Sequence, residues 1–542
     1  MNSIIHLVES IKLFDNISSL NPADPQNNVV VSYTDRRGRT VLVKRTNTSN
    51  TSPANTNTIY DDKDRPAKIV PAAASLTTPE LIYTYLYDQV DNVLQKKVPG
   101  QNAINYLYNT RNLVTYMQDG NMLGVGQWLN TQYDIYGRVT KTGIYTGSAT
   151  DGNVVPGTLT ATYTQNTYGT SGIEFGKLKT ASVNILGTAT NLSNTYTYDV
   201  YGRILSVSGN NHLNTTAGSE ALTYAYDYAD HIMTETRTHK PTSTTTYTIV
   251  PRMTYDHAGR QIDYFHKLGT VENQISQLKY NDRDEVIERN LGKATAGTIS
   301  TWLQSVDYTY NAQGWLTLIN GNTLTGTNLA FPAGCSPALP NPGAYTPQAD
   351  PDPNDLFYME LRYETPFSST SGGITGMSTT NSQKSGNIGQ IAWRVKGRDR
   401  QAYNLAYDQL NRLTTASYYD VNSSGTASAS NKFNESYTYD NRGNFLTLSR
   451  YGFYQNGTTC GYGQIDNLTY TYTANTNRLA SIADAATATN NQKAFGFNPG
   501  AGGTGYTYDA NGNLKTDTYK GITNITYNYL NLPSAIEWGT TK

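Results

Sequence analysis

The chain has 542 residues, a formal net charge of −1, and only 15% charged residues. That near-neutral balance excludes a global field for nucleic acid or an anionic membrane, and the low charge content argues against a coiled coil or a long disordered region. Tyrosine dominates the aromatics, 44 against 11 Phe and 5 Trp, beside 46 Gly, which is the composition of a strand- and turn-rich protein.

In chain order, residues 1–28 read as a preamble. The spacing of Ile4, Leu7, Val8, Ile11 and Phe14 suits a short helix. The same stretch is a poor signal peptide, because it lacks an early positive charge and is broken by His6 and Glu9. No apolar run reaches the roughly 18–20 residues needed to span a bilayer, so no membrane span is expected.

Residues 29–319 are the first part of a repeat array. Its unit is clearest in NTYTYDVYGRILSVSG, from Asn194 to Gly209. Tyr196 and Tyr198 lie two apart and share one face of an extended chain. Asp199 can bond backbone amides two residues on, and Gly202 can take a positive φ, so the unit predicts a β-hairpin. The pattern Tyr, Asp or Asn, two free positions, Gly (or Asn or Asp), then Arg or Asn returns at Tyr60, Tyr87, Tyr133, Tyr255, Tyr407, Tyr439 and Tyr508. Looser copies begin at Tyr33, Tyr108, Tyr226, Tyr280, Tyr310, Tyr472 and Tyr527. Adjacent copies fall about 20–35 residues apart, the range of a repeat architecture. An insertion is expected near 146–194, with an extra strand in LKTASVNIL (Leu178 to Leu186). Residues 320–385 are rich in Pro and Gly and read as an ordered loop or linker, because proline removes ladder donors. The array resumes over 386–542 from NIGQIAW and ends at IEWGTTK without a capping element. Arrays need capped ends, so the expectation is a piece of a longer polypeptide.

Little in this pattern supplies chemistry. The repeated Asp residues (Asp88, Asp134, Asp199, Asp256, Asp408, Asp440, Asp509) recur once per hairpin, as turn caps would, whereas a glycosidase needs one defined carboxyl pair. The following Arg (Arg138, Arg203, Arg260, Arg412) is expected to pair with turn Asp residues or carbonyls. Asp350, Asp352 and Asn354 alternate like a calcium loop, but Asp355 stands where the EF-hand needs Gly and Leu361 where it needs Glu. The histidines form no metal set; the nearest pair, His231 and His239, is read as surface residues. Cys335 and Cys460 have neither zinc spacing nor a disulfide framework and read as unpaired thiols, with one long-range bridge as the alternative. No enzyme, cofactor or metal is therefore expected. The one binding surface the residues suggest is the tyrosine face, namely Tyr196, Tyr198, Tyr224, Tyr226, Tyr308, Tyr310, Tyr437, Tyr439, Tyr506 and Tyr508. Such rings could stack on sugars, or simply pack the sheet and fix its register.

These repeats resemble the YD repeats of the RHS (rearrangement hotspot) family. Strings such as QYDIYGRVTKTGIY, VDYTYNAQGWLTLIN and YTYDANGNLKTDTYKGITNITYNYLNLPSAI resemble its Bacteroidetes type. The resemblance implies an all-β fold of antiparallel hairpins in one continuous spiral sheet, here a partial or open shell. It also implies a secreted or cell-surface protein that encapsulates or delivers a downstream toxin domain or other cargo, as in polymorphic toxins and toxin complexes. The alternative it allows is a cell-surface module binding carbohydrate or protein. The chain departs from the family in lacking the core segment with its DPxG-type ending, so no self-cleavage is expected of it.

Overall fold

A computed structural model describes residues 8–13, 29–46, 54–72, 74–147, 149–150, 153–154, 158–186, 188–296, 299–321, 355–370, 373–378, 383–408, 410–456, 459–486, 495–500 and 503–539. The architecture is all-β. Strands pair antiparallel, nearly all with their sequence neighbours, in one open 32-stranded sheet that runs from Val8–Leu13 to Leu479–Asp484. A four-stranded sheet follows, made of Tyr506–Tyr508, Leu514–Asp517, Ile522–Tyr527 and Pro533–Trp538. It continues beside the first without ladder bonds. Tyr508 donates its hydroxyl to Leu479 O at 3.0 Å, and the Tyr519 hydroxyl both accepts from Ile482 N and donates to Ile482 O.

Most of the repeat hairpins close in the same way. In the 194–209 unit, Gly202 N donates to Asp199 O and Asp199 N to Arg203 O, both at 2.9 Å. The register slips by one residue between Thr197 and Tyr198, a bulge that Gly202 completes at φ 84°. Asp or Asn takes this left-handed position in other copies, at Asp64, Asp91, Asn112, Asp230 and Asp284, because a short polar side chain tolerates it. On the face opposite the tyrosines, hydroxyls pair across the strands, as in Thr197 with Ser206 at 2.7 Å and Thr438 with Thr447 at 2.6 Å.

Three sequence expectations change. Val8–Leu13 is a strand, not part of a helix, and pairs with Val29–Thr34. Residues 4–7 and Phe14 lie outside the described residues. The β-rich VVVSYT edge offers a ladder partner, and a short apolar run follows its partner more readily than its own periodicity. Near 146–194 the sheet does not break: Val139–Thr146 pairs with Thr158–Tyr168, which pairs with the expected extra strand, Leu178–Asn184. Within 320–385, Phe357–Arg362 is a ladder strand between Leu316–Ile319 and Gln390–Val395. The chain after it then folds over the sheet. Phe367, Ile374 and Met377 form a buried cluster with Ala392, Ala402, Val421 and Ala427. Cys335, Asp350, Asp352 and Asn354 lie outside the described residues.

The sheet also returns upon itself. Arg478 Nη2 donates to Gly100 O at 2.7 Å, and Asn102 N to Ala510 O at 2.9 Å. Asn121 donates from its backbone N to Asn511 Oδ1 at 3.0 Å and from Nδ2 to Asp509 Oδ2 at 2.7 Å. Tyr163 and Tyr529 stack with centroids 4.0 Å apart and planes 8° from parallel. Glycine makes the approach possible: a Cβ on Gly120 would stand 2.8 Å from Ala510 O. The hydrogen-bonded side chains across this seam lie 378 to 390 residues apart in the chain. Hairpin turns of the later wrap thus rest on the opposite edge of the earlier one.

Candidate functional site

The repeated Tyr, Asp and Arg converge along one edge of the sheet. Asp199 Oδ1 accepts from Tyr201 N and Arg203 N at 2.9 Å each, and Oδ2 accepts from Arg203 Nε at 2.7 Å. The same guanidinium then leaves its own hairpin. Arg203 Nη1 donates to Asp230 Oδ1 at 2.7 Å and to Asp227 O at 3.2 Å in the next turn. Its Cζ lies 4.4 Å from the ring centroid of Tyr226, whose hydroxyl donates back to Ile204 O at 2.7 Å. Arg260 repeats this with Asp256, Asp284 and Tyr280, Arg65 with Asp61, Asp91 and Tyr87. Each arginine is therefore a rivet between neighbouring hairpins, joining a carboxylate, a carbonyl and a ring face.

Other residues fill the rivet position where arginine is absent. His231 stacks on Tyr255 with centroids 4.6 Å apart, and Trp315 packs on Tyr363 at 5.0 Å. Lys177 lies 4.8 Å over Tyr198 and reaches Gly202 O at 2.6 Å. His231 and His239 are accordingly half-buried partners of Asp227 and Glu220, and not free surface groups. Tyr168, which the repeat template does not match, holds the strap position, its hydroxyl on Val139 O at 2.8 Å. Its turn is lengthened by the short 3-10 segment Gly172–Glu174, which hides the pattern in the sequence.

The tyrosine face divides into two roles. The second tyrosine of each pair gives its hydroxyl to a backbone carbonyl of the preceding hairpin: Tyr198 to Leu178, Tyr226 to Ile204, Tyr310 to Val286, Tyr439 to Leu413 and Tyr508 to Leu479. Arg203 covers Tyr226 and Arg412 covers Tyr439. The first tyrosines, Tyr196, Tyr224, Tyr308, Tyr437 and Tyr506, sit half-buried on the same face. Tyr437 packs on Phe445 and bonds Glu435, and Tyr506 packs against Tyr519. The ten residues are distributed along the wall; they do not converge on one cavity. Among the described residues no group of three or more His, Cys, Asp or Glu is placed to hold a metal, and no helix is long and apolar enough to cross a membrane.

Three of the turn carboxylates, Asp35, Asp199 and Asp256, are tuned toward ionisation. Burial raises the Asp199 carboxyl, but the backbone and guanidinium bonds from Arg203 outweigh it and hold the group below the ordinary value. At Asp256 the Arg260 backbone bond is the largest effect, and at Asp35 the Arg39 side-chain bond is; both are lowered. A carboxyl with a lowered folded pKa stabilises fully above its unfolded value of about 3.9 and loses that contribution as pH falls through the folded value. Urea midpoints should be flat with respect to these groups above about pH 5 and fall steadily below about pH 4. Replacing Asp199 and Asp256 with Asn should flatten that acid limb; an unchanged limb would contradict the tuning.

No protein-family model matches the chain, and no curated protein matches it. Solved structures do. A crystal structure of TcdB2-TccC3-Cdc42 aligns over 97% of this chain and 29% of its own, at 12% identity and a TM-score of 0.31. A Photorhabdus luminescens Tc holotoxin pore aligns over 96% of this chain and 28% of its own, at 11% identity and TM-score 0.29. A porin-like protein from Bacteroides uniformis aligns over 53% of this chain and 93% of its own, at 10% identity and TM-score 0.19. The chain thus spans less than a third of the Tc structures it aligns with. The fold rests on the strand pairing itself.

Proposed function

We propose that this chain is a wall section of a hollow β-shell, acting outside the cell to contain or carry a toxin-type cargo polypeptide. Its work is confinement, with no reaction of its own. The observation that supports this most is the wrap: a sheet whose later turns seat on its own opposite edge, through Arg478, Asn102, Asn121 and the Tyr163–Tyr529 stack, encloses space as it lengthens. Ladder pairing satisfies the backbone along the wall, so a large exposed surface does not leave long open strand edges. The repeat resemblance to RHS proteins agrees with this reading.

Fusing a small, protease-sensitive passenger after Lys542 tests it. Containment predicts slower digestion of the passenger than of the free peptide, with protection lost when Tyr529→Asp opens the seam. Equal digestion rates in all three would sink the proposal. A glycan array with the Tyr196→Ala, Tyr224→Ala double variant tests the alternative: specific glycan binding lost in that variant would favour a binding module instead.

A further inference from the structure

One turn breaks the rivet rule. Among the described turns Glu285, in YNDRDE, is the single carboxylate at the position that elsewhere holds Arg, Lys, His, Asn, Leu or Trp. The neighbouring turn residues change with it. Asn281 stands where most copies have Asp and donates Nδ2 to Glu285 Oε2 at 2.7 Å, where an Asp would repel. Asn311 begins the next turn, and Gly314 stands where a left-handed Asp meets the incoming guanidinium at Asp230 and Asp284. Glu285 Oε1 points toward that turn, 3.1 Å from where a Gly314 Cβ would be. The result is a groove of about 650 Å³ lined by Asn281, Glu285, Tyr308, Tyr310 and Asn311, with Arg283 also among the lining residues. Arg283 turns to the next tip, with Nη1 3.4 Å from Ala312 O. Burial and the nearby Glu285 charge both hold the Tyr310 phenol above its ordinary value.

We infer that this groove binds a guanidinium group from outside the wall, seated on the Tyr310 ring with Glu285 as its counter-ion and Asn311 O as a further acceptor. The incoming group takes the place of the missing arginine. The three partners are those that Arg203 and Arg260 use in neighbouring rungs: a carboxylate, the carbonyl at the start of the next turn, and a tyrosine face. The chemistry selects a flat cation able to stack and donate in plane, which suits guanidinium better than ammonium. The source is a small guanidino compound or an arginine side chain of a bound polypeptide.

Isothermal titration of the full chain with agmatine, and separately with acetyl-Gly-Arg-Gly-amide, tests the site and distinguishes the two sources. Saturable binding of either probe is expected. Glu285→Gln should weaken it about tenfold or more, the loss of one charge-assisted contact. Tyr310→Phe keeps the ring and should retain binding. Glu285→Arg should fill the groove with its own guanidinium and abolish binding, while leaving the thermal midpoint at or above wild type. Absence of saturable binding to the wild-type chain would overturn the inference, as would undiminished binding to either Glu285 variant.

Discussion

Phe367→Ala should destabilise the region around the buried cluster by about 3–5 kcal/mol, the usual cost of emptying an aromatic site in a core. Most of this sheet is a single layer with half-exposed faces, whereas Phe367 is 2% and Ile374 0% exposed. They lie in the segment that follows Phe357–Arg362 and covers the sheet at Ala392, Ala402 and Val421. The small alanines of those strands leave the room that Phe367 fills. The segment is pinned at its start by Phe367 N donating to Gln390 Oε1 at 2.7 Å, and Gln390 Nε2 donates to Ser378 O and Asn404 Oδ1. Repeat sheets unfold in local units, so the loss should appear as faster amide exchange across Gln390–Val421 before any change elsewhere. Phe367→Leu should cost less, because it fills part of the volume. A change below about 1 kcal/mol for Phe367→Ala would mean that the segment is not a packed cover.

Glu360→Gln should be of similar size, about 3–5 kcal/mol, for an electrostatic reason. Glu360 is the shared counter-ion of Arg362 and Arg400, and it accepts the Tyr358 hydroxyl at 2.6 Å. The Arg400 side chain is only 6% exposed, and its Nη2 donates to that hydroxyl at 2.5 Å. Burial raises the Tyr358 phenol well above its ordinary value, which keeps the hydroxyl protonated as a donor. Removing the carboxylate charge leaves two guanidinium groups held together beneath the cover. Replacing Glu360 and Arg400 together, Glu360→Met with Arg400→Met, should cost less than Glu360→Gln alone, since one guanidinium then loses its carboxylate instead of two. Chemical denaturation of the three proteins at neutral pH decides this. A double variant less stable than the single one would contradict the account.

The hairpin was legible because its turn chemistry repeats: Asp199 and Gly202 announce the turn, and the Tyr196, Tyr198 spacing announces a strand with one aromatic face. What lay beyond the sequence is where pairing depends on partners without a pattern. The Val8–Leu13 stretch has apolar spacing compatible with a helix, and only the Val29–Thr34 ladder makes it a strand. The strand Phe357–Arg362 is followed by Tyr363, whose hydroxyl straps to Leu316 O at 2.9 Å like any repeat tyrosine. No Tyr-Asp turn follows it, so the proline-rich composition around it masks the hairpin. Tyr163 and Tyr529 belong to no shared motif, yet their stack helps define the wrap. The tyrosine face shows a subtler limit. Spacing places Tyr226 and Tyr439 on one face, but cannot show that Arg203 and Arg412 cover their rings while their hydroxyls serve as straps.

The sheet winds back to seat on its own edge. Cross-linking across the seam tests it most directly. In a Cys335→Ser, Cys460→Ser background, Tyr163→Cys and Tyr529→Cys should be joined within one chain by a short bis-maleimide at dilute protein, as read by intact mass and peptide mapping. A Tyr201→Cys, Tyr529→Cys pair, placed away from the stack, should not be joined. A wound wall predicts the first cross-link without the second; failure of the first, or equal yield in both, would contradict it.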